Sequence, residues 1–350
     1  VKFLFLHGVQ QFMTRLLRDG TVRIGPATCI PDVLKSLGAD PAKVLSEAGL
    51  DLKLFSNPDN LISFSARSHL IALCQQETGC DHFGLLIGEK IGLSSFGLVG
   101  YLVQNSPDVD SALNNLVRYF HLHAQGAILV KKIENGVAFL GYSIYQPGVE
   151  ASTQLEDAAI AIAYNILNTL CGPDWEPIKT CFVHRKPRDL KPFWHFFRGA
   201  LQFDAGLNGV YFDVEFLQQP VMAADPELHR LLQKQINKLE ADYGDDFPGQ
   251  VKRVLITALF MGHGKIDQIA ALFSMHSRTL NRRLSTYGTN FKQLADEVRY
   301  EIARQMLEAS DIEVGKVSAM MGYSDASSFT KAFKRWSNTT PSRWREENKI

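Results

Sequence analysis

The sequence has little that would build a membrane anchor, a metal centre or a covalent intermediate. Its five cysteines (Cys29, Cys74, Cys80, Cys171 and Cys181) are odd in number and form no C-x-x-C pair. That excludes a disulfide framework or a thiolate zinc site, and the thiols read as buried and free in a reducing compartment. No apolar run approaches the roughly 20 residues that a spanning helix needs. The opening Val1-Lys-Phe-Leu-Phe-Leu-His7 is too short for a secretory signal and lacks a small-residue cleavage site after it. An upstream start or a disordered stretch is the expectation for the first dozen residues, and a cytoplasmic protein the expectation for the whole. A phosphate-binding G-x-x-x-x-G-K-[ST] loop, a G-x-S-x-G elbow and an H-E-x-x-H helix are also lacking. His121-Leu-His123 is a poor metal pair, because residues two apart on a helix face different ways. No third ligand stands at a characteristic spacing, and neither a metal nor a cofactor is expected. No low-complexity tract is present.

Net charge is absent too, with 37 Lys+Arg against 37 Asp+Glu, but the average conceals a division. Residues 1–250 hold 21 basic and 27 acidic side chains, whereas residues 251–350 hold 16 basic and 10 acidic. An acidic module followed by a basic one suits a phosphate-binding domain attached to a domain with another task.

From Ile30 to about Phe120 the apolar spacing is helical, with amphipathic stretches at Ser65–Glu77 and Asp108–His123. The period then changes. Ala127–Val130 and Val137–Leu140 flank Glu134-Asn-Gly136, and Asn-Gly supplies the positive φ angles that a tight β-hairpin needs. A long helix follows over Ser152–Leu170, with strands expected near Lys179–Val183 and Val210–Phe212. Pro226–Ala241 carries Leu228, Leu231, Leu232, Ile236 and Leu239 on one stripe, which can pack on its own domain or on a second copy. Asp242–Gly249, with its acids, two glycines and a proline, reads as a linker. The resulting division is a tail over 1–29, an α+β domain over 30–241, a linker over 242–250 and an all-α domain over 251–350.

The last hundred residues contain two helix-turn-helix patterns. The first runs Ile266–Phe273, turns through Ser274 and Met275, and resumes at Ser277–Thr286; the second runs Val314–Met321, turns through Gly322–Asp325, and resumes at Ala326–Trp336. In each, the second helix sets polar or basic residues opposite apolar ones, the layout of an element that enters the DNA major groove. Gly262 and Gly264 are placed to end a helix that begins near Val251. Thr340-Pro341 offers an N-cap and a first-turn proline to the final helix. Between the two units Phe291, Leu294, Ala295, Val298, Ile302 and Met306 recur at steps of three and four. A helix of about 19 residues spans roughly 28 Å at 1.5 Å per residue. With its end turns it matches the roughly 34 Å between successive major grooves on one face of B-DNA.

The segment resembles the AraC/XylS family of bacterial transcriptional regulators, on Arg278-Thr-Leu-Asn-Arg-Arg-Leu284, Gly288 with Phe291, Val298-Arg299, Ala303, Met321-Gly-Tyr-Ser-Asp325, Ser328-Phe329, Ala332-Phe-Lys-Arg335 and Thr340-Pro341 with Arg343. It departs from many members at Leu284, where an aromatic residue is usual. The resemblance implies that Ser277, Arg278, Asn281 and Arg282 of the first unit, and Ala326, Ser327, Thr330 and Lys331 of the second, face bases. Arginine can hold guanine and asparagine adenine bidentately, and Ala or Thr methyl groups can meet the thymine methyl. Lys334, Arg335 and Arg343 suit phosphates, which orient without reading sequence. Leu280, Leu284, Phe329, Phe333 and Trp336 read as core, and Arg283 as solvated, acid-paired or DNA-bound.

Upstream, Phe96-Gly-Leu-Val-Gly100, Ala112 through Arg118-Tyr119, and Leu217 with Pro220 and Asp225 are similar to the larger effector domain of that family's arabinose-binding-like branch. This implies a small-molecule effector and a homodimer, with RNA polymerase as a partner if the protein activates. Arg118, His121 and Tyr142 are the candidate effector residues, with His123 and His195 as further polar groups in apolar settings; for each, an ordinary hydrogen-bonded role competes. Phe193-Trp-His-Phe-Phe197 reads as packing. A ligand-responsive activator is therefore the leading expectation. A constitutive or architectural DNA-binding protein whose large domain only dimerises is the alternative. An enzyme fused to a DNA-binding tail would need an activated cysteine, and Cys181 three residues from His184 is too generic a spacing to supply one.

Overall fold

The computed structural model describes residues 20–348 apart from 147, 223, 243–246, 261–263 and 274. Residues 20–29, placed in the tail by sequence, belong to the core. Strand β1 (Thr21–Arg23) pairs antiparallel with β2 (Leu61–Ser63), and Val22 and Ile24 are fully buried. Two three-residue strands give too little alternation to register as a period in the sequence. Helices α1 (Ile30–Ser36) and α2 (Pro41–Glu47) follow β1. After β2 come α3 (Phe64–Thr78), α4 (Phe83–Glu89), α5 (Leu98–Gln104) and α6 (Val109–Tyr119), the last continued by a 3-10 turn through Leu122. Ser63 and Asp108 start α3 and α6 by accepting the backbone N–H three residues on, which satisfies a donor the helix cannot.

The hairpin forms as the Asn-Gly signal predicts. β3 (Ala127–Glu134) and β4 (Val137–Ile144) meet at Asn135 and Gly136, with φ of 51° and 79°. Helix α7 (Ser152–Cys171) comes next, then β5 (Lys179–Cys181), α8 (Lys191–Phe196), β6 (Ala200–Gln202) and β7 (Asn208–Asp213). The sheet order is β3-β4-β7-β5-β6, antiparallel except for the β5–β6 pair. Strand β5 stops at Cys181, two residues before the expected end, and the β6 edge strand was not foreseen. Helix α7 packs across β4 and β7, and α4 lies against α7. The close approach of α4 requires Gly84, where a Cβ would sit 1.9 Å from the Gln154 carbonyl oxygen.

Helix α9 (Pro226–Asp242) buries Ile236 and leaves Leu228, Leu231 and Leu239 exposed. The C-terminal domain then comprises α10 (Phe247–Phe260), α11 (Ile266–Leu272), α12 (Ser277–Ser285), α13 (Phe291–Ala309), α14 (Val314–Met320), α15 (Ala326–Ser337) and α16 (Pro341–Asn348). Helix α10 begins four residues before the expected Val251, inside the stretch read as linker. The cause is Phe247, which is fully buried and packs its ring edge-on against Phe273 at 5.4 Å. Gly262, expected to end this helix, lies outside the described residues.

The two halves share a core. Along β3, Ala127 and Leu129 join the N-terminal core, while Ile128 and Val130 join the cluster containing Val251, Leu255, Leu280 and Phe329. The sheet is thus covered on both faces, which is why β3 and β4 read as continuous apolar runs.

Candidate DNA interface and effector cavity

Each helix-turn-helix second helix is anchored by what its sequence buries. In α12, Leu280 and Leu284 are fully buried and Arg278 and Arg282 are exposed. In α15, Phe329, Ala332 and Phe333 are buried, while Ala326, Ser327 and Lys331 are exposed and Thr330 is half-buried. Asp325 starts α15, accepting the Ser328 N–H at 2.7 Å, and that bond holds its carboxyl below the usual range. Thr330 spends its hydroxyl hydrogen on the Ala326 carbonyl, so it offers its methyl outward chemistry more than a donor. Asn281 differs from its expected neighbours. Its Oδ1 accepts the Phe291 N–H at 3.0 Å, tying α12 to the first turn of α13, and that oxygen is the one a bidentate adenine contact would use.

The three expected phosphate residues are not equivalent. Arg335 pairs with Asp296 at 3.0 Å and Arg343 with Glu347 at 2.7 Å, whereas Lys334 is exposed with no ion pair among the described residues. The Arg283 guanidinium lies over the Phe247 ring, 4.0 Å from its centroid.

Spacer helix α13 covers Phe291–Ala309, the bounds its periodicity gives. Asn290 and Gln293 cap it reciprocally, each side chain accepting the other's backbone N–H. Its C-terminal half carries a buried ionic cluster, with Arg304 Nη2 2.6 Å from Glu301 and Nη1 2.6 Å from Glu308. Trp344 Nε1 of α16 donates to Glu308 Oε1 at 3.0 Å. The end of α13 is received by the N-terminal domain: Arg185 donates to the Glu308 and Ser310 carbonyls at 2.8 and 2.9 Å and pairs with Asp311 at 2.9 Å. A cation there satisfies the open carbonyls of the last turn and the negative end of the helix dipole.

Of the candidate effector residues, the structure separates Tyr142 from the other two. Tyr142 walls a cavity inside the N-terminal domain. Arg118 and His121 instead line a cleft between the domains with Arg253, both lying within 4 Å of Glu240. Burial, with Arg253 adding to it, pushes His121 down to about 4. His195 is exposed on α8. His123 faces the Tyr142 cavity, and so do Arg23 and Arg67, which sequence reasoning missed. Arg67 had a signal: it falls on the inner stripe of α3, three residues after Phe64 and four before Ile71, where an arginine is out of place.

A buried charged pair joins α7 to the segment after β5. His184 Nε2 meets Asp157 at 2.8 Å and its Nδ1 meets the Arg185 carbonyl at 2.8 Å. Burial alone would lower the imidazole, but Asp157 outweighs it and raises His184 from 6.5 to about 9. Neighbouring Glu156 is raised by burial to about 7. A folded-state value above the unfolded one stabilises fully below pH 6.5 and is lost as pH climbs to 9. A shift of this size corresponds to about 3 kcal/mol. The Tm should fall between pH 7 and pH 9, and His184→Gln should flatten that fall; an equal fall in the variant would rule this pair out as its source. Burial raises all five thiols, Cys29 and Cys181 to about 11 and Cys74 and Cys171 to about 12, which disfavours the nucleophilic thiolate at each.

Residues 38–221 match the family described as the arabinose-binding domain of AraC transcription regulator, N-terminal, and residues 269–347 match a helix-turn-helix domain family. The chain belongs to the AraC family of transcription regulators. It is a DNA-binding regulator of the helix-turn-helix type and not an enzyme. Similar members include the ornithine utilization regulator of Pseudomonas aeruginosa, 24% identical over 327 residues that cover 93% of this chain and 96% of that protein. The regulator VirS of Mycobacterium tuberculosis is 25% identical over 321 residues, covering 90% and 93%. Among solved structures, the transcriptional regulator CdpR from Pseudomonas aeruginosa aligns at 21% identity and a TM-score of 0.44, covering 90% of this AraC-family chain and 96% of that one. No helix among the described residues of this AraC-family regulator is long and apolar enough to cross a membrane.

Proposed function

We propose that this regulator reads two consecutive major grooves with α12 and α15 and that a small molecule in the Tyr142 cavity adjusts that reading. The observation that carries the proposal is the position of Tyr142. Tyr142 lines the internal cavity and also a second, interdomain gap lined by Glu156, Ile302, Gln305 and Met306. Three of those residues lie on α13, the helix that joins the two reading units. A ligand that changes the Tyr142 wall therefore has a contiguous packed route to the spacing of α12 and α15. A ligand shifts an equilibrium only by its differential affinity for two arrangements, and a shared wall provides such a difference.

Within this reading the base-facing residues are Ser277, Arg278 and Arg282 in the first unit and Ala326, Ser327, Thr330 and Lys331 in the second. Asn281 holds α12 on α13 as its first duty. Lys334 is the leading phosphate contact, with Arg335 and Arg343 held by their carboxylates until DNA arrives. The exposed leucines of α9 support a homodimer, and activation through RNA polymerase in the cytoplasm is the matching output.

Anisotropy titrations of a cognate and a random duplex test the assignment. Arg282→Ala should cost about 1–3 kcal/mol on cognate DNA and relax the preference at one base position. Lys334→Ala should weaken both duplexes alike and lower the salt slope by about one. Equal losses on both duplexes for Arg282→Ala would remove it from the base-reading set.

A further inference from the structure

We propose that the Tyr142 cavity takes a monocarboxylate with an apolar chain, its carboxylate received by Arg67 together with Arg23 and His123. The inference rests on the reading of that cavity as the effector site and adds the chemistry of the ligand. Most of the wall is aliphatic, including Ile30, Ile71, Ile87, Leu129 and Leu140. One face is a stripe of α7 running from Leu155 to Ile166, eleven steps or about 16 Å at 1.5 Å per residue. Ala158, Ala159 and Ala163 on that stripe leave the room a chain would fill.

Against this apolar wall stand three unsatisfied buried nitrogens: Arg23 Nε, Arg67 Nε and His123 Nδ1. His123 is 3% exposed and stacks obliquely on Phe96 at 4.4 Å. All three residues line the cavity, and the Arg67 and Arg23 charges are close enough to act on His123. Burial first, and then the guanidinium charges of Arg67 and Arg23, push His123 down to about 3, so it presents a neutral ring with a hydrogen bond to give. Arg67 also lies against the Tyr142 hydroxyl. Buried polar groups are normally satisfied, and three orphans around one space mark where a ligand's acceptors go.

The charge count selects the class. Arg23 is answered by Asp59, whereas Arg67 has no ion pair among the described residues. One unanswered guanidinium calls for one negative charge, and its planar fork fits a carboxylate bidentately. A phosphate monoester would bring a second charge with no second cation free. An amino acid's ammonium would need an acid, and no carboxylate among the described residues lines the cavity. A sugar would bury hydroxyls against aliphatic walls with too few partners.

Calorimetric and thermal-shift titrations of the full chain with dodecanoate, below its micelle-forming concentration, test the idea against dodecanol and arabinose. Saturable one-to-one binding of dodecanoate, at least tenfold tighter than dodecanol, is expected. Arg67→Gln should weaken dodecanoate at least tenfold and leave dodecanol nearly unchanged, with Arg67→Lys recovering part of the loss. Ala159→Phe, at a partly exposed cavity position, should block both while the protein still unfolds cooperatively. Equal binding of acid and alcohol, or an Arg67→Gln variant that binds dodecanoate like the wild type, would overturn the carboxylate assignment. Arabinose binding that Ala159→Phe abolishes would overturn it too, yet leave the effector site standing. Failure of every probe, with DNA affinity indifferent to Ala159→Phe, would overturn both.

Discussion

Arg304→Ala is expected to destabilise the DNA-binding domain by about 3–5 kcal/mol, because it leaves buried carboxylates without their cation. Glu301 is 4% and Glu308 8% exposed, and Arg304 bridges them from one face of α13. Burial opposes the arginine's charge, but the two carboxylates overcome it and hold Arg304 above its ordinary value. The residues are i, i+3 and i+7 on one helix, so the loss also frees Glu308 from its place under Trp344 of α16. Adding Glu301→Gln should restore part of the stability, since one stranded charge is then removed while Gln305 keeps an acceptor. Urea unfolding of the three proteins checks this. Arg304→Ala within about 1 kcal/mol of wild type would show the cluster to be as weak as an exposed pair.

Phe333→Ala should cost about 3–5 kcal/mol as a large-to-small change in a closed core. The ring is fully buried and meets Tyr300 of α13 at 5.6 Å, Phe329 at 5.7 Å and Trp344 at 6.0 Å. With the Arg335–Asp296 pair and the Trp336–Tyr300 contact it sets α15 on the spacer helix. The expected consequence is lopsided: DNA contacts of the α15 unit fade while those of α12, seated on Leu280, Leu284 and Asn281, persist. A footprint lost evenly from both units would mean that the domain unfolds as one body, with no separate seat for α15.

The DNA-binding half was legible because its signals are local. Phe291–Ala309 gives its helix by period alone, and Thr340-Pro341 marks the start of the last helix by capping chemistry that acts over three residues. The hairpin was legible for the same reason, since Asn135-Gly136 settles its turn without help from elsewhere. What escaped was set by distant partners. Strands β1 and β6 have three residues each and exist because β2 and β5 lie beside them. Phe247 turned an acidic, glycine-bearing stretch into a helix start by finding Phe273 and Arg283. The effector residues were harder still. Tyr142 and His123 were found as polar groups in apolar settings, but Arg23 and Arg67 reach the same cavity from β1 and α3, and no spacing joins them to the other two. Arg118 and His121 carry the same composition and turn to a different cleft.

The central claim is that one chain places two reading helices in adjacent grooves at a distance set by α13. Hydroxyl-radical footprinting of the full chain on its promoter tests this most directly. The account predicts two protected segments per subunit on one face of the duplex, their centres one helical turn or about 10.5 base pairs apart. A single protected segment per subunit, or two whose separation is not a whole turn, would contradict it.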